Sequence, residues 1–146
     1  MRENKAGETR TEQLVLESTL ESVDQAERLT LEMAREAGFD EDDLHRIGMS
    51  VRECVVNAVV HGNRYDAQKT VDFSVTRSAD RFQIRIADQG AGFEIKDLPD
   101  PLADENLLRT SGRGIFLIRA FMDEVHVNRL RPEGTEVILI KKTGQT

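Results

Sequence analysis

The chain has 146 residues, 38% hydrophobic and 32% charged, a mix that fills one core, keeps a polar surface and excludes a disordered chain. Its formal net charge of -7 repels phosphate backbones, which excludes direct nucleic-acid binding through a general basic field. A single cysteine, Cys54, excludes an internal disulfide. The first residues, MRENKAGETR, are polar and lack an apolar signal core. No run reaches the roughly 18 apolar residues of a membrane span, so the expected setting is cytoplasmic, with no membrane contact.

Residues 1–10 read as a flexible tail and 11–146 as a single domain. EQLVLES, 12–18, predicts a strand. Ser22 and Gln25 then form a candidate capping box, followed by apolar or small residues at 23, 26, 30, 33, 34 and 37, the spacing of an amphipathic helix that Gly38 ends. Asp40 caps a second helix, with acidic residues 41–43 at its positive end. That helix is expected to run to about His61, where Gly62 and Asn63 stop it. Residues 69–77 and 81–87 alternate with period two about a turn at Ser78–Asp80 and predict a hairpin. A long segment rich in Gly, Pro and Asp, 88–111, precedes a short helix at 114–122. Strands at 124–130 and 135–141 turn at Pro132–Gly134. Hairpin-joined strands beside a set of helices predict an α+β fold, a two-layer sandwich with helices on one face of a mixed, mostly antiparallel sheet.

Three stretches carry chemistry. In VRECVVNAVVHGN, 51–63, Glu53, Asn57 and His61 interrupt an otherwise apolar helix. At ~100° per residue they share one stripe. Either the stripe satisfies backbone groups of a neighbouring loop, or it lines a wet cleft that holds a metal or substrate. Cys54 in the same helix reads as a buried structural thiol. In ADQGAGF, 87–93, Asp88, Gly90 and Gly92 follow a strand, where they make either a plain turn or a close approach to a ligand. In SGRGIFLI, 111–118, Gly112 and Gly114 stand where a loop becomes a helix, which is either a hinge or a phosphate site.

Taken in order, ExxxNAxxHGN, DxGxGF and GxGIxLIxxFMDEV resemble the GHKL ATP-binding superfamily of gyrase, histidine kinases and mismatch-repair ATPases. GIFLIRAFMDEV is similar to the bacterial anti-sigma factor serine kinases, which regulate stress and sporulation sigma factors. The resemblance implies the GHKL sandwich, with ATP and Mg²⁺ as cofactors. It implies Glu53 as catalytic base, Asn57 as the ligand of the metal, and Asp88 as acceptor for the adenine amino group. Gly90 and Gly92 would lie close to the base, and Ser111, Gly112 and Gly114 near the phosphates. Residues 97–111 would form an ATP lid; its Arg109, and Arg113 just after it, either neutralise γ-phosphate or are simply solvated. His61 reads as a packing or capping residue. Arg52 and Arg64 either bind a partner or are solvated.

The implied function is a protein-serine kinase that holds a sigma factor and phosphorylates a STAS-domain antagonist on serine, acting as a homodimer. Two other readings compete with it. One is a partner switch that binds ATP without turnover, and the other is a histidine-kinase-like catalytic domain acting in trans.

Overall fold

A computed structural model describes residues 9–90 and 114–143, with side chains in the third helix described from Ile118 onward. In chain order the elements are β1 (Arg10–Glu17), α1 (Glu21–Glu36) and α2 (Glu41–Val56), which continues as a π-helix over Asn57–Gly62. They are followed by β2 (Thr70–Arg77), β3 (Arg81–Ala87), α3 (Gly114–Phe121), β4 (Glu124–Arg129) and β5 (Thr135–Lys142). The sheet order is β1-β2-β3-β5-β4, and every pairing is antiparallel. The expected α+β sandwich is therefore present, with a sheet that is antiparallel throughout among the described residues rather than mixed. Arg10, expected in the tail, already pairs with Arg77.

The period-two pattern sorts the sheet into two faces. Leu16, Val71, Phe73, Val75, Phe82, Ile84, Ile86 and Leu139 point inward and are buried. Val23, Ala26, Met33 and Ala34 of α1 and Ile47, Val51 and Val55 of α2 cover them. Outward residues of the same strands, such as Val15 and Asp72, stay exposed. Phe39, between the helices, meets Phe82 edge-on at a ring separation of 5.5 Å.

The helix ends follow local rules in two places and depart from them in one. Gly38 (φ +92°) ends α1 with a full double-bonded cap: its N–H reaches Arg35 O at 3.0 Å and that of Phe39 reaches Ala34 O at 3.3 Å. Asp40 Oδ1 accepts from Asp43 N at 2.8 Å and starts α2. The expected Ser22–Gln25 capping box is absent. Leu20 is the residue at the α1 cap, and it makes no side-chain cap bond. The chain turns tightly off β1, with Thr19 N donating to Glu17 O at 2.8 Å, and this places the Ser22 hydroxyl on the Glu17 carbonyl at 2.7 Å. The hydroxyl is used to close the β1–α1 turn, and α1 begins before it.

Candidate active site

Helix α2 is held from both sides. Its Arg52, on the outer surface, donates to Asp24 at 2.8 Å and Glu27 at 2.7 Å of α1. These exposed ion pairs tie two helices together for a fraction of a kcal/mol each, roughly. α3 packs on the other side. Lys141 Nζ donates to the Phe121 carbonyl at 2.9 Å and lies 3.7 Å from Asp43 Oδ1, so one cation joins the negative end of α3 to the start of α2.

At the end of this fixed helix stand Glu53 and Asn57, one α-turn apart. Among the described residues, two buried side-chain polar atoms have no hydrogen-bond partner: Glu53 Oε2 and Asn57 Oδ1. Buried polar atoms are nearly always bonded, and leaving one unpaired costs about 1–3 kcal/mol. Loop backbone groups among the described residues therefore do not account for the stripe. The next turn is wider. Asn63 N reaches Ala58 O at 2.8 Å and Tyr65 N reaches Val59 O at 3.0 Å, closing a π-helical stretch. Short π segments interrupt helices often at functional sites. His61 lies within this stretch, and its side chain is half-buried. Arg64 (φ +54°) and Tyr65 (φ +59°) then reverse the chain in the left-handed region.

This reversal brings the helix end onto Asp88, which is 6% exposed. Asp88 Oδ1 accepts from Gly90 N at 3.0 Å and Thr135 N at 3.2 Å. Both donors use Oδ1, and neither reaches Oδ2. Burial pushes the Asp88 carboxyl above the usual range, while the two N–H donors and the Lys69 charge pull the other way. Gly62 and Gly90 are required here. A Cβ on Gly62 would lie 2.3 Å from Asp88 Oδ2, and one on Gly90 would lie 1.8 Å from the Gly62 carbonyl oxygen. No side chain fits at either point, so backbone borders the carboxylate closely there.

The structure thus brings Asp88 and Gly90 together against Gly62, at the end of the helix that carries Glu53 and Asn57, and sets Gly114 at the head of α3. Gly92, Arg109, Ser111, Gly112, Arg113 and the expected lid at 97–111 lie outside the described residues. Sequence reasoning missed the structural parts played by Gly62, Asn63 and Thr135. Only the HGN run hinted at the first two, and nothing in the sequence pointed to Thr135.

Residues 16–141 match the family of the histidine kinase-like ATPase domain. This chain belongs to that family. Within it, the anti-sigma F factor of Clostridium perfringens is 32% identical over 103 residues, covering 69% of this chain and 74% of the relative. The serine-protein kinase RsbW of Bacillus licheniformis is 36% identical over 112 residues, covering 68% of this chain and 67% of the relative. Two solved structures share the fold of this histidine kinase-like domain. The RsbU and RsbW domains of a Mycobacterium tuberculosis protein superpose with a TM-score of 0.65 at 17% identity, over 90% of this chain and 31% of that one. The Pseudomonas aeruginosa SiaB–SiaC complex gives 0.58 at 10% identity, over 90% of this chain and 89% of that one. Among the described residues, no helix is long and apolar enough to cross a membrane.

Proposed function

We propose that this chain is an ATP-dependent protein-serine kinase and anti-sigma factor. In this reading it acts in the cytoplasm as a homodimer, holding a sigma factor and phosphorylating a STAS-domain antagonist on serine. The observation that carries the reading is the pair of buried oxygens of Glu53 and Asn57, one turn apart and without a partner among the described residues. The relatives named above as anti-sigma factor and serine-protein kinase support it.

Asn57 Oδ1 suits Mg²⁺, a hard cation that takes oxygen ligands and is commonly shared with substrate phosphates. When bound, the ion would neutralise charge on the β- and γ-phosphates. The chain's own residues would do the rest. Asp88 Oδ2 would accept the adenine amino group, and would repel the oxygen that guanine presents at that place. The N-terminus of α3 at Gly114 would offer N–H groups to the phosphates. Glu53 would take the proton from the antagonist's serine as its oxygen bonds to the γ-phosphorus, while the bond from that phosphorus to ADP breaks. The product serine carries about two negative charges. Against a chain of net charge -7 that product is repelled, which releases the antagonist.

The test uses γ-labelled ATP, Mg²⁺ and a STAS-domain protein from the same genome. Acid-stable label on serine is expected, falling at least about a hundredfold in Glu53→Gln, the scale of a lost general base, while ATP still binds. Asn57→Ala should abolish transfer as well. ATP binding without transfer would favour a switch without turnover. Acid-labile phosphohistidine would favour a histidine-kinase-like reaction in trans.

A further inference from the structure

Strands β2 and β3 pair from Arg77↔Phe82 to Asp72↔Ala87. Continued by two residues, that register sets Val71 opposite Asp88 and Thr70 opposite Gln89. The direct bond from Gln89 N to Thr70 O is not made. The side chain of Asn63 stands between them: its Oδ1 accepts from Gln89 N at 2.8 Å, and its Nδ2 donates to Thr70 O at 3.0 Å. The second Nδ2 proton goes to Ser18 Oγ at 2.9 Å. Asn63 is 1% exposed. Its orientation is fixed by its partners, because Ser18 already donates its hydroxyl proton to Lys69 O at 2.6 Å and so accepts from Asn63. The Gln89 side chain completes the ring by accepting from Thr70 N at 2.8 Å.

A carboxamide has the donor and acceptor of a peptide group. We propose that Asn63 is a positioning residue for nucleotide binding: its carboxamide stands in for a strand-to-strand peptide contact, splays the end of β3 from β2, and delivers Asp88 to Gly62. On its other side β3 stays tied to β5, where Asp88 N donates to Thr135 O at 3.0 Å. The loop is therefore swung about one fixed edge. The two left-handed residues that follow, Arg64 and Tyr65, turn the backbone back on itself directly after this inward-facing side chain. No other residue type supplies the geometry. Aspartate lacks the donors, glutamine is one methylene too long, and alanine lets Gln89 close directly on Thr70.

The inference rests on the reading of Asp88 as the adenine partner, so two measurements are paired. In nucleotide-free wild type, the Asn63 side-chain NH₂ protons should exchange at least about tenfold more slowly than those of the exposed Asn128, since both are bonded in a buried site. Then ATP and GTP affinities are measured for wild type, Asn63→Ala and Asn63→Asp. ATP affinity should fall about tenfold to a hundredfold, the scale of one misaligned bond to a charged group, while GTP affinity changes less than about threefold. Asn63→Asp keeps the volume of asparagine and serves if the alanine variant fails to fold. A merely structural role would lower both affinities together or neither, and either result overturns the proposal. Fast exchange in wild type overturns it as well, whether or not nucleotide binds. Slow exchange in a wild type that binds neither nucleotide keeps the inserted carboxamide and removes its nucleotide-positioning role, along with the adenine reading of Asp88.

Discussion

Two buried carboxylates serve different purposes because their surroundings differ. Glu53 keeps an oxygen without a partner, while Asp88 spends one oxygen on two backbone donors and keeps the other beside glycine backbone. The buried Asp88 has its carboxyl raised, chiefly by desolvation. In the pH range between the ordinary aspartate value of about 3.9 and this raised value, the native protein holds more protons than the unfolded one. Stability contributed by Asp88 is therefore lost as pH rises through that window, and the ionised residue is a net cost at neutral pH. Ligand binding runs the opposite way, because only the ionised form accepts strongly from an adenine amino group. We expect ATP affinity to weaken on acidification, beginning above the usual aspartate range. In Asp88→Asn the amide oxygen keeps both backbone bonds and the NH₂ replaces Oδ2. That variant should melt no lower than wild type at neutral pH, lose this pH dependence, and prefer GTP over ATP. Nucleotide titrations at several pH values, with a melting curve at each, check all three. An unchanged ATP preference would remove Asp88 from base recognition.

The elements were legible in proportion to how local their causes are. Period-two alternation located β2 and β3, and Gly38 and Asp40 marked the break between α1 and α2, because each acts within a few residues of itself. The Glu53–Asn57 pair was legible for the same reason: polar residues four apart on an apolar helix need an explanation. What stayed hidden is set by contacts distant in sequence. Ser22 has the pattern of a cap, but the carbonyl it binds depends on how β1 meets α1. The π-helix at Asn57–Gly62 has no periodic signature in six residues. Asn63 looked like a helix stop, and its actual partners lie on β2, beyond β3 and at the end of β1. A local cause also gives a clean prediction. Asp40→Ala should remove the α2 cap and cost about 1 kcal/mol. For a domain of this size that lowers the melting temperature by about 3–5 °C. Because the cap sits nearly five turns from Asn57, ATP affinity should stay within about twofold of wild type, where 1.4 kcal/mol would be tenfold. A larger loss would mean that the helix start and the site are coupled through the Lys141–Asp43 contact rather than independent.

At the scale of the whole molecule, the sheet ends in two edges that are open among the described residues, β4 and β1, and they are not alike. β1 has eight residues, with neither Gly nor Pro, and among the described residues it pairs along its whole length with β2 on one side only. Such a strand presents unpaired backbone groups to any other strand, a liability that proteins usually blunt. Its polar side chains help only in part: Arg10 is held by Glu12 and Glu36, whereas Val15 is 72% exposed, the most exposed large apolar residue among those described. A two-fold dimer built by antiparallel pairing of β1 with its own copy would satisfy the edge and cover Val15 twice at once, because an isologous contact repeats every residue. We propose this edge as the surface through which the expected dimer would pair. Val15→Lys would set two like charges near the axis and should shift sedimentation from two chains toward one at low salt. Added salt should restore association in part, since such charges are screened beyond roughly 10 Å at 0.1 M. Val15 points away from the helices, so ATP affinity should hold in the monomeric variant. A variant that remains fully dimeric would place the dimer contact on another surface, and a wild type that sediments as one chain at about 50 μM would leave the edge protected by its charges alone.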